Sequence, residues 1–217
     1  MTRRFSVMLT VLLLLASTLT ASVDQTLNAS QWSGISNATK FQSNPQAYKT
    51  TNPFYNLGDG SLAIDFPMWQ DSLNYLYRNY TGKAAPTMMT VSVSIVTNGN
   101  AVFDYGLGPD NPCVNPANLR PFFWSNHFSW ADGDRWFSNP SSYYLADGSI
   151  IFQIPLTPDK WSGVYGEWAT DAPAWWQSAI NNISAFGIVI GGGCFFGHGV
   201  GLDQGTATVI IHSISLQ

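Results

Sequence analysis

The sequence predicts an all-β sandwich or jelly roll carrying one short helix, on three observations. Short runs alternate apolar and small polar residues with period two, which marks strands that bury one face. Gly, Asn, Asp and Pro punctuate these runs at turn spacing. A single segment shows helical spacing instead.

The clearest strand is Met89–Ile95, where Met, Val, Val and Ile alternate with Thr, Ser and Ser. Asn98-Gly99 comes next, a dipeptide suited to a tight hairpin, and a strand resumes over Ala101–Tyr105. A second hairpin is predicted from Tyr143–Leu145 through Asp147-Gly148 to Ile150–Leu156. Leu119–Trp124 is a further strand, and its Pro121 predicts an edge position or a bulge because proline cannot donate to a ladder. Phe186–Ile190 and Thr206–Leu216 complete the set. The helix is predicted after Asp171 as cap, with Pro173 in its first turn and Trp176, Ala179, Ile180 and Ile183 on one stripe. Trp176 is thereby expected in the core, and Trp175, about 100° around the helix, at its surface. Residues 23 to about 60 are rich in Asn, Ser, Thr and Gln. They read either as an extended wrap or as a leading strand.

Residues 1–22 have the order of a secretory leader: Arg3 and Arg4, an apolar stretch from Val7 to Leu15, then small residues from Thr18 to Ser22. The stretch is shorter than the roughly 20 residues that span a bilayer, so no membrane span is expected after its removal, although a retained anchor stays open. Phe5-Ser6-Val7 fits a twin-arginine signal poorly. The expected localisation is secreted or periplasmic. Residues 23–217 are enough for one β-rich domain, and no repeat or composition break divides them.

Only 10% of the 217 residues are charged. Beyond the leader, seven basic side chains face thirteen acidic ones, a net charge of −6. Without a basic run the chain lacks the counterion-releasing surface that phosphate backbones require, which argues against nucleic acid as a partner. Two cysteines, Cys113 and Cys194, are expected to form one disulfide in an oxidising compartment, the alternative being two free thiols in a reducing one. The pairing would contribute roughly 4 kcal/mol by closing a loop of about 80 residues.

The last third runs Leu156 to Gly166 (with Asp159, Trp161 and Tyr165), the helix, Ser184–Ile190, then Gly191-Gly-Gly-Cys-Phe-Phe-Gly-His-Gly-Val200 and an alternating final strand. This order resembles the C-terminal half of galactose-binding-like jelly-roll domains of the carbohydrate-binding-module type. It is also similar to exported bacterial proteins sharing the Gly-Gly-Gly-Cys-Phe-Phe-Gly-His-Gly stretch. Arg135-Trp136-Phe137-Ser138-Asn139-Pro140 resembles an Arg-Trp-Trp-Ser-Asn-Pro element of those proteins. The resemblance covers roughly residues 88–217 and implies a fold more than an activity. Members of the superfamily bind sugars, lipids or proteins, at loops on one end of the sandwich or on a concave sheet face.

Nine tryptophans in a chain with one glutamate, Glu167, direct attention to sugars, whose apolar faces stack on indole. The densest candidate segment is Phe122–Trp136, where Trp124, Trp130 and Trp136 recur at spacing six among Asn126, His127 and Arg135. The indoles are the expected stacking faces. The polar side chains and Glu167 are expected to meet the hydroxyls, with Trp168 a further sugar-binding candidate; the alternative is that the tryptophans are core.

Asp132-Gly133-Asp134 is a candidate calcium turn, with Asp104, Asp110 and Asn111 as possible helpers. No other cofactor is expected. His127, His198 and His212 are too dispersed for a zinc helix. His198, beside Cys194, is expected in a structural hydrogen bond, and His212 on the Ile210 and Ile214 side of the last strand. The glycine run lacks the phosphate-loop pattern, and no G-x-S-x-G nucleophile motif occurs. The resulting expectation is a non-catalytic polysaccharide-binding domain. The alternatives are a glycan-cleaving hydrolase or lyase using Glu167 with Asp104 or Asp132, or a structural surface protein whose aromatic residues are all core.

Overall fold

The structure, a computed structural model, describes residues 27–37, 48–51, 54–68, 72–82, 85–104, 116–126, 131–192 and 199–217. The leader, Cys113, Cys194, His127, Trp130, His198, Asp110 and Asn111 lie outside the described residues, and so do the readings attached to them.

Fifteen strands are described: β1 (Trp32–Asn37), β2 (Tyr48–Thr51), β3 (Tyr55–Asn56), β4 (Leu62–Asp65), β5 (Leu73–Asn79), β6 (Met88–Thr97), β7 (Val102–Asp104), β8 (Asn118–Trp124), β9 (Arg135–Ser138), β10 (Tyr143–Tyr144), β11 (Gly148–Pro155), β12 (Trp161–Gly163), β13 (Ala185–Gly191), β14 (Gly201–Gln204) and β15 (Ala207–Leu216). One helix, α1, spans Pro173–Asn181. The larger sheet has eight strands in the order β12-β9-β8-β13-β5-β1-β2, with β10 also on β8. The second has five, β11-β6-β15-β4-β3, and β14 pairs β7 separately. Every pairing between these strands is antiparallel. The fold is an all-β sandwich with one helix, as the alternation predicts. No helix among the described residues is long and apolar enough to cross a membrane.

The main core lies between the two large sheets. Met89, Val91, Val93 and Ile95 of β6 and Val209, Ile211 and Ile214 of β15 meet Leu119 and Phe123 of β8 and Phe186, Ile188 and Ile190 of β13. A second cluster forms on the opposite face of the eight-stranded sheet, from Ile35, Tyr75, Tyr77, Phe122, Trp124, Phe137, Ala185 and Val189. Both faces of β8 and β13 are therefore buried, and all seven residues of each strand are shielded from solvent. Such strands read as near-continuous apolar runs rather than alternating ones.

Several expectations need correction. Gly99 does adopt the left-handed turn conformation (φ +82°), but β7 pairs β14 rather than folding back on β6. The Asn98 side chain accepts from the Thr206 amide at 3.3 Å and the Asn98 amide donates to the Thr206 carbonyl at 3.2 Å, so the turn is tied to the connection before β15. The second predicted hairpin is likewise divided. β10 joins β8 while β11 joins β6, aligned by the Asp147 carboxylate accepting from the Thr97 amide at 2.8 Å.

Pro121 sits in an interior strand rather than at an edge. Opposite it on one side the ladder is interrupted: β9 pairs Phe122–Trp124 and β10 pairs Asn118–Leu119, so the missing donor falls in a gap. Ala172, not Asp171, is the residue before the helix, and it provides no side-chain cap. A register shift between Ile211 and Ser213 leaves His212 beside Ile210 but turns Ile214 into the core on the opposite face. Residues 27–60 hold strands, with β1 and β2 ending the large sheet. β5, which no alternation announces, lies between β13 and β1.

Candidate functional site

Trp124 and Trp136 are not stacking faces. Trp124 is 1% exposed, in the second cluster against Tyr75 at 5.5 Å between ring centres. Trp136 is 0% exposed; its indole N–H donates to the Gly133 carbonyl at 3.0 Å, so its polar end is satisfied within the protein. Arg135, opposite Trp124 in the ladder, is buried as well. These corrections share one cause. The segment forms two interior strands of a sheet covered on both faces, which is the usual fate of large aromatic residues. Asn126 is exposed at the end of β8, and Trp168 is half-buried on a bridge to Ser162.

Among the described tryptophans, the exposed indole belongs to α1. Trp176 enters the core, edge-on to Trp136 (5.3 Å, 89°) and Phe123 (5.6 Å, 66°), and this ring cluster fixes the helix against the sheet. One residue earlier, and therefore about 100° around the helix, Trp175 is 51% exposed. It leans on the 3-10 turn Asp132–Asp134, where a Cβ built on Gly133 would lie 3.1 Å from Trp175 Cγ. A side chain at position 133 would need the indole to give by a few tenths of an ångström.

Trp175 stands between two hollows. One, of about 420 Å³, is lined by Glu167, Asp171, Ala172, Pro173, Ala174 and Trp175. The other, of about 330 Å³, is lined by Ala131, Asp132, Gly133, Asp134, Trp175 and Ser178. The loop carrying Glu167 is closed by hydrogen bonds from Gly163 N–H to the Glu167 carbonyl (2.8 Å) and from Gly166 N–H to the Gly163 carbonyl (3.1 Å). Gly166 takes a positive φ of 87°, and Tyr165 is 74% exposed beside it.

The Glu167 carboxylate folds over Gly163, where a Cβ would fall 1.9 Å from Oε1. That oxygen is buried and has no hydrogen-bond partner among the described residues. A buried acceptor without a donor costs roughly 1–3 kcal/mol, more when charged. The carboxylate gains by turning outward to a donor in the hollow.

The candidate site thus retains Glu167 from the sequence reading, replaces Trp124 and Trp136 by Trp175, and adds Asp171. Asp132 and Asp134 line it, but their fit to calcium is poor. Asp134 Oδ1 already accepts from Ser125 Oγ at 2.9 Å, and no group of three His, Cys, Asp or Glu gathers among the described residues.

Two other places hold polar groups near a hollow or on an open face, and neither forms a site. Hollows of about 310 Å³ adjoin Arg78 at the end of β5, but the Arg78 guanidinium lies 5.5 Å over Phe186 and Tyr80 packs edge-on to the same ring. On the outer face of the five-stranded sheet, Ser94 Oγ lies 2.6 Å from His212 Nε2, and His212 Nδ1 lies 3.2 Å from Ser61 Oγ. This has the composition of a nucleophile and base. Ser94 and Ile210 are paired in the β6–β15 ladder, however, and a flat sheet face presents no pair of free amides for an oxyanion. The chain of hydroxyls and imidazole, extended by Ser149 Oγ at 2.7 Å, serves as a clasp between strands.

No protein-family model matches the chain, and no curated protein matches it. Among solved structures it is similar to a Bacteroides thetaiotaomicron protein described as a "putative glycoside hydrolase", with a TM-score of 0.39 and 9% identity over 80% of this chain. The match spans 59% of that protein's length.

Proposed function

We propose that this chain is an exported glycan-binding domain that stacks a sugar ring on Trp175 and meets its hydroxyls with Glu167 and Asp171. The exposure of Trp175 carries the reading. Among the described tryptophans, Trp32, Trp124, Trp136, Trp161 and Trp176 are buried, while Trp175 offers a face with carboxylates on both sides. An aromatic face for the C–H side of a pyranose, with acceptors in its plane, is the minimum arrangement for holding a neutral polyol. The leader-like composition of residues 1–22 and the resemblance to carbohydrate-binding modules support export and a polysaccharide partner. A purely structural shell gives no account of a half-exposed indole on the same hollow as a carboxylate with a buried oxygen that lacks a donor among the described residues.

The test is a pull-down and titration across insoluble and soluble polysaccharides, for the native chain and Trp175→Ala. Stacking on the order of 1 kcal/mol predicts that the variant binds roughly fivefold more weakly. Equal binding by both proteins, or none by either, overturns the reading. Glycoside hydrolysis uses two carboxyls, and Glu167 and Asp171 line one hollow. Release of reducing ends by the native chain, abolished in Glu167→Gln, would make the domain an enzyme.

A further inference from the structure

The charge of the two hollows is one-sided. Among the described residues, the charged lining is Glu167 and Asp171 on one side of Trp175, and Asp132 and Asp134 on the other, with no described Lys, Arg or His in either. None of the four is in an ion pair with a described residue, in contrast to Asp159, which is bonded to Lys160. Four carboxylates around one exposed ring repel one another and any anion brought to them. An indole face, for its part, attracts ammonium groups through its quadrupole.

We infer that the Trp175 site selects glycans carrying protonated amino groups over neutral glycans, and neutral ones over acidic glycans. The inference rests on the reading of Trp175 as a sugar-stacking face. Hollows on both sides of one ring suit consecutive sugar units, each placing an ammonium against a carboxylate pair while the central ring stacks. Glu167 then receives a donor for the oxygen that has none. A metal ion matches the site less well, because an indole is no ligand and the carboxylates do not gather into a cluster of three.

The experiment titrates the full mature chain with three probes in mildly acidic buffer, where carboxylates are ionised and amines protonated. The probes are a deacetylated chitosan oligosaccharide, its N-acetylated counterpart and an oligogalacturonate. The deacetylated probe is expected to bind about tenfold more tightly than the acetylated one, equivalent to about 1.4 kcal/mol. Raising the salt from about 0.05 to 0.5 M should shrink that ratio, since the Debye length falls. Oligogalacturonate should bind most weakly.

The double variant Asp132→Asn/Asp171→Asn, both positions being exposed, brings the ratio toward one, whereas Asp159→Asn leaves it at the native value. Equal or tighter binding of the acetylated or acidic probe, or a ratio indifferent to salt, overturns charge selection while leaving the stacking face intact. Failure of all three probes to bind, or equal binding by Trp175→Ala, removes the stacking face and charge selection with it.

Discussion

Trp175 and Trp176 are adjacent in sequence, and truncating them should have opposite consequences. Trp176 is 5% exposed and has Phe123, Trp136 and Trp161 around it at ring-centre distances of 5.6, 5.3 and 6.4 Å. Trp176→Ala removes the ring that ties α1 to the sheet and leaves a cavity the sheet cannot collapse into. Large aromatic truncations of this kind cost about 3–5 kcal/mol, and the three ring contacts place the cost near the upper end. For a domain of this size that corresponds to a fall in Tm of about 6–20 °C. Trp175→Ala gives up packing against Gly133 but gains helix propensity, so its effect should stay within about 0.5 kcal/mol. Urea unfolding followed by far-UV circular dichroism, with calorimetry as a check on two-state behaviour, measures both. A Trp175→Ala variant as unstable as Trp176→Ala would show that the helix does not face as described. A Trp176→Ala variant of native stability would show the same.

Two glycines should separate space from backbone. At Gly163 the three atoms nearest an added Cβ all belong to the movable end of Glu167, so Gly163→Ala is expected to cost less than about 1 kcal/mol yet turn the carboxylate outward and change glycan affinity, read by titration. At Gly187 the Cβ would fall 1.9 Å from the Leu76 carbonyl oxygen in the middle of the sheet, and Gly187→Ala should lose about 1–3 kcal/mol or more in the same urea assay. Ser94→Ala removes the partner of His212 Nε2 and the bridge to Ser149, for an expected loss of about 0.5–1.5 kcal/mol. Burial raises the Tyr77 phenol above its ordinary pKa, more than its hydrogen bond with Ser33 lowers it. The unfolded chain therefore loses that proton first, and stability should fall as pH rises beyond about 10. Tyr77→Phe should flatten that part of a stability–pH profile.

The strands were legible wherever one face is buried and the other is polar. In β6, Met89, Val91, Val93 and Ile95 point inward, as their alternation says. Partner choice was not legible: Asn98-Gly99 encodes a turn, but whether β7 returns to β6 or passes to β14 depends on Thr206, more than 100 residues away. β5 was missed because its Leu-Asn-Tyr-Leu-Tyr run is buried on both faces, so no period-two contrast remains. The same burial on both faces hid the fate of Trp124 and Arg135. A sheet covered on one side would have left them at the surface, and nothing local distinguishes the two cases. Helical periodicity, by contrast, separated Trp175 from Trp176 correctly, because a rotation of about 100° per residue is fixed by the helix itself. That contrast was the signal that could have moved the candidate stacking face from β8 to α1.

The central claim is that the indole of Trp175 receives the glycan, and indole N–H resonances of the ¹⁵N-labelled chain test it most directly. Assigned by single Trp→Phe variants and titrated with a binding oligosaccharide, the Trp175 resonance should shift and saturate with the ligand, while those of Trp124, Trp136 and Trp176 stay in place. A saturating shift at the buried indoles with Trp175 unmoved would contradict the account.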